Sequence, residues 1–448
     1  MSGQAQDAPP RRQAERRNRG RNRGRERERY ATRRRRLAVG LPALTAVLVL
    51  LAGCSGTSTG SSPAATASPA ATASGAGAAS SAPDRGVIRL VVVAGPVQNG
   101  NVDYRYDWVT PFERRTGCQV LLKNAATDAE AISDINLGAG RSYYSGVLGS
   151  PEVLGQLAAV KGIKPLNVQR ITGYSQISPR LRNAPSELSG GKVYGLPYSW
   201  DSYVTGYDTG KVKPAPQSWT SLFTPALAAR YAGKITMPDS PVTLALAALS
   251  LKSAQPSLGI SDPFELTKPQ LAAAQQAVSA VRHQVGTFWT QDSSVIGQLG
   301  DGQDLLGAVL SHQIIQMSRA GLPTAGVPAP VPATGSGSAV ADVLSWMVTS
   351  QAPNTPCMYQ WLSWSVSNYV QERVSAWTGT APASLAACRG AAAANCTEYH
   401  ESSLATARNL VFEHLPVSDC GNGQTGCTGY TQWQAAWQRI TGGPTPGS

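Results

Sequence analysis

The chain has 448 residues, of which 15% are charged, and a formal net charge of +12 at pH 7. Residues 1–36 contain fourteen Arg against four acids, a net charge of +10, which leaves +2 for the remainder. A nucleic-acid-binding domain would carry its basic residues on a folded face. Because the charge lies in one N-terminal segment of the kind that export removes, the composition argues against nucleic acid as a partner.

An apolar run follows the basic segment at residues 37–52. A basic region, an apolar core and small residues predict a secretory signal over residues 1–53, because the core is shorter than the roughly 20 residues of a spanning helix. Leu51-Ala52-Gly53-Cys54 resembles the bacterial lipobox, which implies lipidation of Cys54. An uncleaved anchor or an ordinary buried Cys is the alternative, and the arginines at 33–36 leave twin-arginine export open.

Residues 54–84 are almost entirely Ser, Ala, Gly, Thr and Pro. Such a segment cannot bury enough apolar surface to fold, so it predicts a flexible tether. Residues 441–448 predict a disordered tail. Between them, roughly 360 residues are enough for two lobes with separate cores.

The folded part shows apolar spacing that alternates between strands and helices, which predicts an α/β fold. The predicted strands are at 88–93, 119–122, 193–200, 203–207, 234–237, 286–290 and 307–310. The predicted helices are at 108–115, 271–281, 354–364 and 433–440. In the stretch 190–239, polar and aromatic residues stand where strands end, which is where α/β sheets place their ligands. This stretch therefore predicts one wall of a small-molecule cleft.

Besides Cys54, the chain has an even set of cysteines: Cys118, Cys357, Cys388, Cys396, Cys420 and Cys427. In an exported protein such a set predicts disulfides. Short separations favour Cys420–Cys427 and Cys388–Cys396, which leaves Cys118 with Cys357. A Cys357–Cys388 bridge is the rival pairing. The spacings do not fit a zinc site, so we expect no metal.

No catalytic constellation stands out in the sequence. The histidines His283, His312, His400 and His414 lack metal-ligand spacing. Ser189 and Lys192 match the S-x-x-K motif of β-lactamases, but the Gly-Gly between them predicts a turn where that motif needs a helix. We therefore expect a binding protein without a cofactor, and not an enzyme.

Several short motifs follow one another along the chain: Tyr194-Gly195-Leu196-Pro197-Tyr198-Ser199-Trp200, Gly206-Tyr207-Asp208, Lys234-Ile235-Thr236-Met237, Trp346-Met347-Val348-Thr349-Ser350 and Thr380-Ala381-Pro382-Ala383. With the Cys-bearing tail, this order resembles the spermidine/putrescine-binding proteins of ABC importers, in their actinobacterial branch. The resemblance covers most of residues 86–440. It implies a two-lobed periplasmic-binding-protein fold of type II, in which a hinge closes the lobes over the ligand.

The resemblance also implies a division into lobes. Lobe 1 is expected at 85–199, with a return segment at about 322–350, and lobe 2 at 200–321, with C-terminal helices at about 351–440. Carried over by position, the expected ligand contacts are Ser150, Glu152, Trp200, Asp201, Asp239, Trp289, Asp292 and Asp342. For each of them the alternative is a cap, a turn or core packing. Aromatic faces and carboxylates together suit a cationic ligand.

The chain departs from the family at some of these ligand positions. Ser240 and Thr243 stand where acids are expected, Leu310 where a stacking Trp is expected, and the loop 94–97 lacks an aromatic residue. The identity of the solute therefore stays open, although a polyamine-like amine fits the resemblance.

The expected function is that of a monomeric, lipid-anchored receptor on the extracellular face of the membrane. It would bind a small polar solute and deliver it to the permease subunits of an ABC importer. One alternative is a surface lipoprotein for sensing or scaffolding without transport. A secreted serine hydrolase is the other.

Overall fold

The structure is a computed structural model that describes residues 86–93, 95–328, 339–353, 355–399, 410–421 and 425–442. The predicted export signal, Cys54, the tether and His400 lie outside the described residues, as does residue 443 onward of the predicted tail. Within the described ranges, every helix is too short or too polar to cross a bilayer.

Strands and helices alternate along the described chain, as expected for an α/β fold. The strands are β1 Val87–Val93, β2 Gln119–Ala125, β3 Gly146–Gly149, β4 Ile163–Lys164, β5 Leu188–Ser189, β6 Lys192–Val193, β7 Leu196–Asp208, β8 Ile235–Pro238, β9 Val285–Trp289, β10 Leu306–Leu310, β11 Thr324–Pro328, β12 Ala339–Thr349, β13 Ala381–Pro382 and β14 Leu410–Phe412. The helices are α1 Val109–Thr116, α2 Asp128–Asn136, α3 Gly140–Tyr143, α4 Pro151–Ala159, α5 Pro179–Arg182, α6 Thr220–Phe223, α7 Pro225–Ala228, α8 Val242–Ala254, α9 Lys268–Val281, α10 Asp292–Gly300, α11 Ser311–Arg319, α12 Thr355–Ser365, α13 Asn368–Thr378, α14 Ala393–Glu398 and α15 Tyr430–Thr441.

One large sheet runs through the described part of the chain, with the main order β2-β1-β3-β12-β7-β10-β8-β9. β1 is parallel to β2 and β3 at one end, and β8 is parallel to β10 and β9 at the other. β12 and β7 lie in the middle and pair antiparallel to each other. Two parallel blocks, which form the bases of two lobes, are therefore joined by two long antiparallel strands.

β7 connects the two lobes. It pairs with β12 as far as Ser202 opposite Ala341, and with β10 from Tyr203 opposite Leu310 onward. The chain therefore passes from lobe 1 to lobe 2 between Ser202 and Tyr203. The sequence predicted separate runs at 193–200 and 203–207, but the structure has one continuous strand of 13 residues. No Gly or Pro stands at residues 201–202 to interrupt the pairing.

Each lobe has its own core. In lobe 1, the fully buried rings of Trp108, Trp346 and Trp361 pack together, with centroids 4.7 Å apart for Trp108 and Trp361 and 5.4 Å apart for Trp346 and Trp361. In lobe 2, the core surrounds α8, in which every residue from Val242 to Leu251 is buried.

The C-terminal segment is shared between the lobes. α12 and α13 pack into the lobe 1 core, whereas α15 packs into the lobe 2 core through Trp433 and Trp437. β11 pairs with the lobe 2 half of β7. This differs from the expected division, which placed 351–440 wholly with lobe 2 and the segment from 322 with lobe 1. The apolar residues of α12 face the lobe 1 aromatic core, which explains the difference.

The disulfides are Cys118–Cys357, Cys388–Cys396 and Cys420–Cys427. The favoured pairing is confirmed, and the rival Cys357–Cys388 bridge is not formed. The first bond ties α12 to the residue just before β2, which holds α12 in lobe 1. The third closes the loop that leads into α15.

We expect Trp361→Ala to lower the free energy of unfolding by about 3–5 kcal/mol, because removing a buried indole leaves a cavity among the other rings. Tyr104, whose side chain is 82% exposed, offers the matched control, and Tyr104→Ala should change this free energy by less than about 0.5 kcal/mol. Urea unfolding measures both. Similar losses for the two variants would contradict the assignment of Trp361 to the core.

Candidate functional site

Two carboxylates face each other at the hinge. Asp201 on β7 and Asp342 on β12 are direct partners in the antiparallel pairing. Side chains of opposite residues leave a sheet on the same face, and like charges in such a pair are destabilising. At least one of these carboxylates therefore needs a proton or a cationic partner.

His312, at the start of α11, provides a cation for Asp201. Its Nδ1 lies 2.5 Å from Oδ2 of Asp201, and its Nε2 lies 3.0 Å from Oδ2 of Asp292. Because both ring nitrogens face carboxylate oxygens, the doubly protonated ring is the form that can donate to both. Burial by itself would lower the pKa of His312, but the charges of Asp292 and Asp201 raise it well above its usual range. Burial opposes ionisation of Asp292 as well, yet the His312 charge lowers the pKa of that carboxyl.

We call Asp201, Asp292 and His312 the histidine group. The remaining oxygens of its carboxylates also have protein donors. Oδ1 of Asp201 accepts a hydrogen bond from the Tyr399 hydroxyl at 2.7 Å, and Oδ1 of Asp292 accepts one from Nε2 of Gln313 at 2.7 Å. The histidine group is therefore satisfied by the protein itself.

A second cluster adjoins it, made of Asp128, Glu152, Asp342 and Glu413, which we call the acid group. Asp128 begins α2, Glu152 lies in the first turn of α4, Asp342 lies on β12, and Glu413 follows β14. The charge of Asp128 acts on both Asp342 and Glu413, and the charge of Glu152 acts on Glu413. These carboxyl groups are therefore close enough to influence one another's ionisation.

The acid group resists full ionisation. Burial, reinforced by the charges of Asp128 and Asp201, raises the pKa of Asp342 to about 8. Burial and the charges of Asp342, Glu152 and Asp128 raise the pKa of Glu413 well above its usual range. Burial also raises the pKa values of Asp128 and Glu152. A positive charge placed among these groups would favour their ionised forms.

Only part of the hydrogen-bonding capacity of the acid group is used. Asp128 accepts a hydrogen bond from the Ser150 hydroxyl at 2.6 Å, and Glu152 accepts one from the Tyr430 hydroxyl at 2.5 Å. Oδ1 of Asp342 is shielded from solvent and has no hydrogen-bond partner. In the described part of the chain, no Lys or Arg forms an ion pair with any member of the group. Among these residues, the nearby cation is His312 of the histidine group, whose charge partly offsets the raised pKa of Asp342 without forming an ion pair with it.

A small pocket lies beside the acid group. Its lining includes the carboxyl-bearing side chains of Glu152 and Glu413 and the apolar side chains of Val242, Phe264 and Trp433. Glu152 belongs to lobe 1, whereas Val242 begins α8 in lobe 2. The pocket therefore lies between the lobes and combines acidic and apolar walls.

Most of the sequence-predicted ligand residues belong to these clusters. Asp201 and Asp292 are in the histidine group, Glu152 and Asp342 are in the acid group, and Ser150 caps α4 while donating to Asp128. The structure brings these residues together from both lobes and from the hinge.

The other predicted ligand residues pack elsewhere. Trp200 is 3% exposed in the lobe 1 core, and its ring packs against that of Tyr399. Trp289 lies in the lobe 2 core and donates a hydrogen bond to the Ala308 carbonyl. Asp239 is exposed and accepts a hydrogen bond from Nε1 of Trp437. Trp200 and Trp289 are therefore core residues, and Asp239 forms a surface hydrogen bond.

Sequence reasoning missed Asp128, His312, Tyr399, Glu413 and Tyr430. Asp128 and Glu413 each follow shortly after the end of a strand. This position could have marked them as candidate site residues. His312 gave no signal, because its partners Asp201 and Asp292 are 111 and 20 residues away along the chain.

The S-x-x-K match forms the predicted turn. Ser189 pairs with Lys192 in a short hairpin, and Gly190 and Gly191 have φ angles of 55° and 74°. Ser189 therefore does not begin a helix, as the serine of a β-lactamase does.

A family model described as bacterial extracellular solute-binding protein matches residues 107–398, more than half of the chain. A putrescine/cadaverine-binding protein of Pseudomonas aeruginosa is 25% identical over 146 residues, which are 32% of this chain and 40% of that protein. That alignment therefore spans less than half of the relative's length.

Solved structures share the fold. The spermidine/putrescine ABC transporter substrate-binding protein of Streptococcus pneumoniae matches with a TM-score of 0.60 at 15% identity, over 80% of this chain and 97% of that one. A lipoprotein of Treponema pallidum matches with a TM-score of 0.59 at 13% identity, over 79% of this chain and 99% of that one. The predicted two-lobed periplasmic-binding-protein fold is thereby confirmed.

We expect Asp342→Asn to stabilise the unliganded protein above about pH 8 and to have no effect near pH 4. The folded-state pKa of Asp342, about 8, exceeds the value of about 3.9 in an unfolded chain. The stability that comes from its bound proton is therefore complete below the pKa of the unfolded chain. It is lost as the pH rises through the pKa of the folded protein. Asn does not ionise and avoids this loss.

Melting temperatures measured across this pH range test the prediction. The exposed residue Asp419 offers a control, because Asp419→Asn removes the same charge outside the acid group. If Asp342→Asn and the unsubstituted protein lose stability equally as the pH rises, Asp342 does not hold a raised pKa.

Proposed function

The chain belongs to the family of bacterial extracellular solute-binding proteins, and we propose that it captures a small cationic, polyamine-like amine between its lobes. The acid group carries this proposal. Its carboxyl groups form no ion pair within the described ranges, and one oxygen of Asp342 is shielded from solvent without a hydrogen bond. An ammonium group would supply both the missing charge and the missing donor.

The origin of the residues supports binding between the lobes. Glu152 comes from lobe 1, Asp342 from the hinge, and Glu413 from the segment that leads towards α15 of lobe 2. The Tyr430 hydroxyl of α15 donates to Glu152 across the cleft. A ligand that neutralises these acids where the lobes meet would stabilise the closed arrangement of the lobes.

The C-terminal segment makes up for the acids absent at Ser240 and Thr243. Ser240 and Glu413 line the same pocket, so Glu413 places a carboxyl group beside the start of α8 from a different part of the chain. Thr243 donates instead to the Pro238 carbonyl and is fully buried. The loss of acids at these positions therefore does not argue against a cationic ligand.

The names of the similar proteins agree with an amine. The Pseudomonas aeruginosa relative is named for putrescine and cadaverine, and the Streptococcus pneumoniae structure for spermidine and putrescine. We propose binding without catalysis, as is usual for the solute-binding family to which the chain belongs.

We further propose that Cys54 is lipidated and that the residues up to 84 tether the receptor to the membrane, from which it delivers solute to ABC permease subunits. The lipobox-like Leu51-Ala52-Gly53-Cys54 and the tether composition support this. We propose that the receptor acts as a monomer. Solute uptake that survives deletion of the receptor would favour the sensing or scaffolding alternative.

We expect Glu413→Gln to weaken putrescine binding by about tenfold or more, the size expected for loss of a charge-assisted hydrogen bond. Isothermal titration calorimetry on the purified protein measures the affinity. Glu398 is exposed, and Glu398→Gln makes the same chemical change outside the acid group. Equal affinities for the two variants would remove Glu413 from the site.

We expect Cys54→Ser to release the protein from the membrane fraction, because the hydroxyl cannot take the place of the lipidated thiol. Cell fractionation and detergent phase partitioning measure this. Ser55→Ala, which keeps the thiol, should stay with the membrane. Retention of Cys54→Ser would support an uncleaved N-terminal anchor instead.

A further inference from the structure

We propose that His414 is the uncharged hydrogen-bond acceptor of the cleft, and that its Nε2 accepts an N–H of the bound cation. This inference rests on the proposed function and adds a residue to that site. The carboxyl groups of the acid group supply the negative charge, and His414 supplies an acceptor without charge. A primary ammonium or a guanidinium fits such a pair, because each has N–H groups left after it donates to a carboxylate.

The segment after β14 places His414 in the pocket. His414 follows Glu413 in the chain, and both residues line the pocket together with Glu152. The ring of His414 is only 8% exposed and lies against that of Phe264, with the centroids 5.2 Å apart. Phe264 in turn stacks parallel to Trp433. Aromatic packing therefore holds the imidazole at the pocket wall.

The backbone determines which ring nitrogen of His414 carries the proton. Nδ1 lies 3.0 Å from the carbonyl oxygen of Phe412. A carbonyl oxygen can only accept a hydrogen bond, so Nδ1 is the donor. Nε2 has no hydrogen-bond partner among the described residues. In the neutral ring Nε2 is an acceptor, and it is the nitrogen that remains for a ligand.

His312 shows the opposite arrangement. Both of its ring nitrogens face carboxylate oxygens of the histidine group, which favours the imidazolium. Within the described ranges, His414 forms no ion pair with a carboxylate, so no contact there holds a proton on its Nε2. The structure therefore arranges one histidine as a cation and the other as an acceptor.

An uncharged acceptor suits the pocket wall beside Glu413. Burial and neighbouring charges raise the pKa of Glu413 well above its usual range. A further carboxylate at position 414 would resist ionisation in the same way, whereas an imidazole nitrogen accepts a hydrogen bond without adding to the repulsion. An ammonium has three N–H donors, and Glu152, Glu413 and Nε2 of His414 offer one acceptor to each of them.

Two amide variants at position 414 test the inference. Gln carries its amide at about the reach of Nε2, so His414→Gln keeps an acceptor for the ligand. Asn carries its amide near the position of Nδ1, so His414→Asn keeps a donor for the Phe412 carbonyl but has no group that reaches the ligand. We expect His414→Asn to bind putrescine at least fivefold more weakly than His414→Gln, measured by isothermal titration calorimetry.

The outcomes separate the inference from the proposed function. A difference of less than about fivefold between the two variants overturns the role of His414, while cation binding by the unsubstituted protein still stands. If putrescine, spermidine and agmatine all fail to bind the unsubstituted protein, the proposed function fails and the inference fails with it. His283 is exposed in lobe 2, and His283→Asn should leave the putrescine affinity unchanged.

A spectroscopic measurement covers the case in which the variants do not fold. Nitrogen-15 chemical shifts of His414 in the unsubstituted protein report the state of each ring nitrogen. At neutral pH we expect a protonated Nδ1 and an unprotonated Nε2, and an Nε2 resonance that moves upfield on saturation with putrescine as it accepts a hydrogen bond. A proton on Nε2, or an Nε2 resonance that putrescine does not move, would overturn the inference.

Discussion

The placement of Asp201 and Asp342 opposite each other on β7 and β12 is the constraint from which the rest of the site follows. Two carboxylates in such a pair repel each other, and their burial at the hinge keeps water from screening the repulsion. Only one carboxylate of the pair is in direct contact with a cationic side chain. His312 contacts Asp201 directly and its pKa is raised, whereas Asp342 has a raised pKa and keeps an oxygen without a hydrogen-bond partner. The asymmetry is what leaves a site for a ligand.

The position of this pair also links binding to the arrangement of the lobes. β7 changes partner just after Asp201, between Ser202 and Tyr203, so the charges lie at the point where lobe 1 ends and lobe 2 begins. Glu152 of α4 and Glu413, which follows the β12 partner strand β14, lie near this pair. Without a cation, their mutual repulsion opposes closure, and with a cation it becomes attraction to a common partner. Under the proposed function, the unliganded protein therefore loses some stability and regains it when the cation binds.

The sequence predicted the parts of this picture that depend on local pattern. The strand and helix periods, the crossing stretch 190–239 and the hinge acids Asp201 and Asp342 follow from apolar spacing or from motif order. The sequence did not predict His312 or Glu413, because their roles arise from contacts between distant segments. It also assigned Trp200 and Trp289 to the ligand site, whereas the structure places Trp200 in the lobe 1 core and Trp289 in the lobe 2 core. An aromatic residue at a strand end has the same sequence signature in both roles.

Glu413 shows why the charge of a cleft cannot be judged from aligned positions alone. The residues after β8 that carry acids in the resembling family are Ser240 and Thr243 here, which by themselves suggest a weaker preference for cations. Glu413, in the segment after β14, supplies a carboxyl group to the same pocket. It lies outside the part of the chain that the family model matches. Electrostatic recognition depends on the sum of charges around a ligand and not on the segment that supplies each one. A cation site can therefore keep its character while the origin of its acids changes, provided that the fold brings the new segment to the hinge.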